Sequence, residues 1–339
     1  MRDWEEKLTQ LGYGLAAFAL VIAVIILLVD RAPKRGREKV QLAVFIGPAL
    51  FMLAVGLVIP AVRTITLSFK DARSQNWVGL ENYEWMFTQP EILTVLRNTG
   101  IWVLLTPIVA TSIGLIYAIL IDKAKGESFA KVFVFMPMAI SFVGAGIIWK
   151  FVYAYRPEEA NQIGLLNQVW LWLGGTPQQW LISPPLNTLF LIIVMVWIQA
   201  GFAMVVLSAA IKGIPVDIVE AARLDGVNAW QMFWRVTLPS IRASVLVVFT
   251  TITIAVLKVF DIVRTMTGGQ FDTSVVANEL YAQAFRAGQA GRGSALTVFL
   301  FVLVLPIVFY QVRQLRRNAE TRSSGCSPTR STRCCSSSS

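Results

Sequence analysis

The chain has 339 residues, 55% of them hydrophobic and 15% charged, with a net charge of +10 and no histidine; its mean hydropathy is +0.62. That balance excludes a soluble basic nucleic-acid binder, because the positive side chains gather in short loops and the tail, where membrane topology and anionic lipid account for them. The three cysteines, Cys326, Cys334 and Cys335, all fall in the tail. The folded part therefore has no disulfide framework and, without histidine, lacks the usual parts of a metal site.

Seven apolar runs follow one another, at about 11–29, 41–61, 98–121, 132–153, 187–210, 243–263 and 295–312. Each is close to the ~20 residues that cross ~30 Å of hydrocarbon as helix. They are continuous and do not alternate, which excludes a membrane β-barrel. The fold class is all-α, a polytopic membrane helical bundle. The first run lacks a basic leader and a small-residue cleavage site, so it is expected to stay as an uncleaved span.

Between the runs, basic residues mark one side of the membrane. Loop 30–40 carries Arg31, Lys34, Arg35, Arg37 and Lys39; loop 122–131 carries Lys123, Lys125 and Lys131; Arg313, Arg316 and Arg317 follow the last run. All lie in the cytoplasm if the N-terminus is outside, seven spans are present and the C-terminus is cytoplasmic. Segments 62–97, 154–186 and 264–294 are then external. The second of these holds Trp170, Trp172 and Trp180 with Pro177, Pro184 and Pro185, the composition of a small cap anchored near the interface. From about Ala319 the chain turns to Ser, Arg and Cys, and 316–339 is expected to be a disordered tail.

Loop 211–242 falls on the basic side and is polar. Pro215 suits a helix start, Asp217 and Glu220 favour its positive end, and Gly226 is a natural stop. Asn228 and Gln231 have capping-box spacing for a second short helix, expected to end before Pro239. Two short helices at nearly a right angle make a knob that another protein can grip. Lys212, Arg223, Arg235 and Arg242 are nearly balanced by Asp217, Glu220 and Asp225, which does not suit a DNA-reading helix-turn-helix.

The order Glu220-Ala221-Ala222, Gly226, Val236, Leu238-Pro239 resembles the EAA loop of type I ABC importer permeases, with Val236 where the family usually has isoleucine. Other strings extend the resemblance to the carbohydrate-uptake, maltose-permease-like members. They are Val78-Gly79-Leu80-Glu81-Asn82-Tyr83, Arg97-Asn98-Thr99, Phe260-Asp261 and Thr267-Gly268-Gly269, the last followed by Gln270 in place of the frequent Gly-Pro. Ser141 to Trp149 and Ile163 to Asn167 look like the α-glucoside branch. The resemblance covers 95–315 as a type I transmembrane domain, with 1–94 as two added spans and an external segment.

The resemblance implies a permease subunit of a bacterial inner-membrane sugar importer. Its partners would be a second homologous permease, an ATPase dimer and an external sugar-binding protein. ATP and Mg would be used by the partner ATPase, with no cofactor bound by this chain. Glu220, Ala221, Ala222, Asp225, Gly226, Leu238 and Pro239 would form the coupling helix and its flank, seated in a cleft of the ATPase.

The sequence itself carries no Gly-x₄-Gly-Lys-Ser/Thr loop, no Gly-x-Ser-x-Gly elbow and no His-Glu-x-x-His, so no catalytic residue is assigned. Lys258 and Asp261 lie near membrane depth, and their i, i+3 spacing places both on one helical face where they pair. As an alternative reading, that pair would serve as the relay of a secondary transporter or channel. For a sugar pathway, Trp197 matches the spacing of a tryptophan in maltose permeases, and Gln199 lies near it. Thr250, Thr251 and Thr253 offer hydroxyls, although helical threonines commonly bond back to their own backbone. Asn278 and Tyr281 are candidates to guard the entrance.

Overall fold

The structure is a computed structural model and describes residues 9, 12–14, 37–122 and 126–324. Most of the expected first span 11–29, the basic residues Arg31, Lys34, Arg35, Lys123 and Lys125, and the cysteine-bearing tail lie outside the described residues. Among the described residues every named element is helical. Two compact units divide the chain, Met1–Thr66 and Leu67–Ser339.

In the first unit, α1 (Arg37–Leu53) carries Pro48 in its interior and passes through a π-turn, Ala54–Val58, into α2 (Ile59–Leu67). Phe45–Leu67 is long and apolar enough to cross a membrane. It runs past the expected end at residue 61. Thr64 and Thr66 do not break it, because each hydroxyl donates to a carbonyl one turn back, at Pro60 and Val62.

The second unit begins with α3 (Glu81–Thr88) and α4 (Pro90–Ile121), followed by α5 (Glu127–Phe135), α6 (Phe142–Val152) and α7 (Leu165–Trp172). Next come α8 (Leu186–Lys212), α9 (Val216–Leu224), α10 (Ala229–Gln231) and α11 (Leu238–Leu257). It closes with α12 (Asp261–Met266), α13 (Val276–Tyr281) and α14 (Ala290–Ser324). Its centre is α8, packed against α4 and α11. Trp102, Leu191, Met195, Met204, Leu207, Ile252 and Val256 fill the space between these helices.

Close approach explains why small residues stand where α4 and α8 cross. A side chain at Gly114 would meet Ala203 and come within 2.8 Å of the Met204 amide nitrogen. Ala110, Ala118, Ala200 and Ala203 continue the small surface and are all buried. A methyl at Gly201 would likewise meet the Val134 carbonyl of α5. Lipid tails are as apolar as leucine, so helix association depends on this kind of tight packing.

Two expected spans are not single straight helices. The run 132–153 is a pair, Glu127–Ala139 and Phe142–Val152, bent by 102°. Pro137 lies in a 3₁₀ turn, Met136–Ala139, and Ser141 then starts a new helix by accepting a hydrogen bond from the Gly144 amide at 3.1 Å. The run 243–263 stops at Leu257. At its other end it extends back to Ala229 as one apolar helix of 29 residues, interrupted only by a π-turn at Met232–Thr237.

Segments expected on one side of the membrane meet at one end of the second unit. Asn98 Nδ2 donates to the carbonyls of Asp272 (2.5 Å) and Ser274 (3.1 Å), and the Thr99 hydroxyl accepts from the Val276 amide. From α8, Asn187 Nδ2 donates to the Phe271 carbonyl at 2.6 Å. The Arg97-Asn98-Thr99 string thus stitches segment 268–276 onto the bundle. Likewise Asn82 donates to the carbonyls of Ser68 and Lys70, which gives the Glu81-Asn82-Tyr83 string a structural task.

Gly114→Val is expected to lower the stability of the detergent-solubilised protein by about 1–3 kcal/mol through overpacking, read as a drop in its thermal unfolding midpoint. Asn98→Ala leaves two carbonyls without their donor, at about 1–3 kcal/mol. Protease cutting within 268–276 should then rise sharply while α4 and α8 stay protected.

Candidate functional site

The knob begins where α8 ends. Gly213 and Ile214 lead to Pro215, which precedes the first turn of α9. The helix stops in a Schellman arrangement: the Gly226 amide donates to the Arg223 carbonyl at 3.1 Å and the Val227 amide to the Ala222 carbonyl at 3.2 Å. Gly226 has φ +73, where a side chain is strained. A methyl there would meet nothing within 4 Å, so within this chain the glycine serves the turn and not a close contact. Asn228 and Gln231 form the expected capping box, with Gln231 N donating to Asn228 Oδ1 at 2.8 Å and Asn228 N to Gln231 Oε1 at 3.1 Å.

The second helix does not end before Pro239. A π-turn, Met232–Thr237, carries α10 through to α11, and the Ser240 hydroxyl donates to the Val236 carbonyl at 2.6 Å. Pro239 therefore lies inside the continuous helix Ala229–Leu257, where its ring removes one backbone donor.

The surface of the knob suits a partner. Glu220, Ala221, Asp225, Gly226 and Pro239 are exposed, Leu238 is half-buried and Ala222 is buried. Leu224 is 89% exposed and Trp230 70%, and Trp230, Phe233 and Trp234 touch one another ring to ring. An exposed apolar surface of this kind, set among charges, is characteristic of an interaction site.

Beside the knob's entry lies a polar cluster. Lys131 Nζ reaches Asp122 Oδ1 at 2.8 Å and Glu127 Oε1 at 2.7 Å, and also donates to the Ser208 hydroxyl. Ser208 donates to Asp122 Oδ1 at 2.7 Å, and Lys212 pairs with Glu127. Hydrogen bonds from Lys131 and Lys212 hold the Glu127 carboxyl down to about 2. Burial works against the Lys131 charge, but hydrogen bonds to Asp122 and Glu127 prevail and raise its pKa. Among the described residues these are the ion pairs recorded. In the sequence, Lys131 stood out only as a topology marker. Ser208 and Lys212 one turn apart were the available signal for the rest.

The residues expected along a substrate pathway do not converge. Trp197 meets Trp149 edge-on at 5.6 Å, while Gln199 is buried two positions along the same helix and therefore on another face. Thr250, Thr251 and Thr253 all donate to backbone carbonyls of the preceding turn. Asn278 is 2% exposed and donates to the Ser274 hydroxyl at 3.0 Å, so it is enclosed in the 268–278 fold. Tyr281 meets Phe260 at 5.2 Å with the rings tilted, and lies under the Arg264 guanidinium.

Lys258 and Asp261 are not on one helical face. Helix α11 ends at Leu257, Lys258 caps it, and Asp261 opens α12. They form none of the ion pairs recorded among the described residues. Both do line one cavity of about 210 Å³, together with Phe142, Met195, Ala255 and Phe260. The break in the helix is what brings backbone and two charged side chains to that cavity wall.

Known proteins place this architecture. The chain is 49% identical over 278 residues to the osmoprotective compounds uptake permease protein GgtC of Synechocystis sp., covering 82% of this chain and 100% of that one. It is 47% identical over 276 residues to the alpha-glucoside transport system permease protein AglF of Rhizobium meliloti, covering 81% and 82%. The fold matches the crystal structure of a bacterial ABC transporter involved in the import of the acidic polysaccharide alginate, with a TM-score of 0.72 at 22% identity over 84% of this chain and 98% of that one. Residues 94–319 match the family described as binding-protein-dependent transport system inner membrane component. With its polytopic helical bundle and exposed knob, the chain belongs to that family, a membrane component of a transport system and not an enzyme.

Proposed function

We propose that this chain is one of two permease subunits of a bacterial ATP-driven importer for an α-glucoside or a related neutral oligosaccharide. The observation that carries the reading is the exposed knob 213–239, held in shape by its own Schellman turn and capping box and presenting Leu224 and Glu220 outward. A loop that is rigid, exposed and partly apolar is built to be gripped. The sugar class is supported by the 47% identity to AglF.

In this reading the N-terminus is outside and the knob and C-terminus are cytoplasmic. A second homologous permease, an ATPase dimer and an external sugar-binding protein complete the complex. ATP and Mg bind the ATPase, whose closure moves the knob, and the helices rock to open the pathway to the loaded binding protein. Glu220, Ala221, Ala222, Asp225, Gly226, Leu238 and Pro239 make the docking surface. Residues 95–315 act as the transporting domain, and 1–94 are an addition to it.

The pathway is assigned chiefly to the cavity beside Lys258 and Asp261, with Trp197, Gln199, Thr253, Asn278 and Tyr281 placed elsewhere along it and not on that cavity's wall. A discontinuous helix beside a cavity is a common way for transporters to present polar groups at membrane depth. Its volume of about 210 Å³ is below the ~300–1,000 Å³ of ordinary ligand sites, which favours a second wall supplied by the homologous permease. A secondary-transport relay is not favoured. Lys258 and Asp261 sit on separate helical segments, and the family is one of binding-protein-dependent systems.

Purification in mild detergent should bring down an ATPase and a second permease, with ATP hydrolysis stimulated by binding protein loaded with one of a panel of α-glucosides. Recovery of the chain alone would sink the reading. Gly226→Asp should leave the protein in the membrane yet reduce transport by about tenfold or more, through lost ATPase assembly or coupling. Lys258→Met and Asp261→Asn should each raise the half-saturating sugar concentration for transport by about tenfold, measured as uptake of labelled sugar in proteoliposomes.

A further inference from the structure

We propose that Lys131 is a positioning residue for coupling: with Asp122, Glu127, Ser208 and Lys212 it forms an ionic latch that holds the knob's lead-in in the resting state. The inference rests on reading the knob as the ATPase-docking element, and it adds a regulatory contact that the docking surface does not contain.

Two carboxylates and two ammonium groups cancel, so the cluster is neutral as a whole, and Lys131 bonds directly to three of its four companions. The side chain of Asp122 is only 11% exposed and that of Lys131 22%, so their attraction is less screened by salt than that of an open surface pair.

The cluster joins three elements. Asp122 caps α4, Glu127 and Lys131 belong to α5, and Ser208 and Lys212 lie one turn apart at the end of α8. Three residues beyond Lys212, Pro215 starts the knob.

The same elements reach the cavity. Helix α5 leads through the 102° bend to Phe142, and α8 carries Met195; both residues line the cavity beside Lys258 and Asp261. One ammonium therefore bridges elements that carry the knob at one end and cavity walls at the other. An ion-pair cluster between packed helices is either made or open, and elements with two discrete arrangements convert small displacements into a switch. Removing the ammonium leaves Asp122 and Glu127 with one counter-charge fewer, in a place where unpaired charge is disfavoured.

The test uses the full complex of permease pair and ATPase, with wild type, Lys131→Met, Lys131→Arg and Ser208→Ala compared for ATP hydrolysis without binding protein. Loss of the latch should raise the resting rate per assembled complex in Lys131→Met by about fivefold or more, the lower end of ordinary coupling between sites. Lys131→Arg, which keeps the charge, should restore a rate close to wild type, and Ser208→Ala should fall between them. A purely packing role would lower assembly without raising the resting rate.

An assembled Lys131→Met complex hydrolysing at the wild-type resting rate overturns the proposal. If Lys131→Met does not assemble, Ser208→Ala decides, and a wild-type rate there overturns it equally. Failure of both to assemble makes the cluster a folding element and also overturns it. Wild-type chain that brings down no ATPase overturns the knob reading and the latch with it. Wild-type complex with normal ATPase and unaltered variants overturns the latch alone.

Discussion

A backbone carried into hydrocarbon finds no water for its amides and carbonyls, so each departure from helix has to be satisfied by the protein itself. That constraint organises the second unit of this chain. Ser141 accepts the Gly144 amide where the bent pair restarts. Asn98 and Asn187 hold the carbonyls of 271–274. These side chains permit a bend and a folded 268–276 segment, features a set of straight rods would lack.

Packing supplies the second condition. Without a hydrophobic drive between helices in lipid, contact depends on close approach. Gly114 against Ala203 and Met204, and Gly201 against the Val134 carbonyl, let α4, α5 and α8 meet backbone to backbone. The central α8 then serves both ends of the unit. It holds Asn187 near one terminus and Ser208 and Lys212 near the other. This one helix therefore carries the knob's lead-in, a cavity wall and the clamp on 271–274.

The two candidate sites differ in how they are built. The knob is local: its turn, caps and exposed residues lie within about two dozen consecutive positions of chain, and its glycine is needed for φ and not for packing. The cavity is assembled from α6, α8, α11 and α12, with Lys258 and Asp261 brought to its wall because α11 stops at Leu257. A local motif survives in sequence as spacing, whereas an assembled one leaves little trace.

The sequence alone determined the helical class, most of the apolar runs, the Gly226 stop and the Asn228–Gln231 capping box, because helix propensity, capping and hydrocarbon thickness act over short stretches of chain. It also showed the knob's residues in order. Only the tertiary structure decided the 102° bend, the π-turn that carries α10 into α11, and the separation of Lys258 from Asp261. It also gave the asparagine clamps and the Asp122–Lys131–Glu127–Lys212 cluster. The clamps and the cluster depend on partners far apart in the chain, Asn98 with Asp272 and Lys131 with Ser208 among them. Periodicity is blind to such pairs, because the free energy that selects them comes from groups that meet only after the helices have packed.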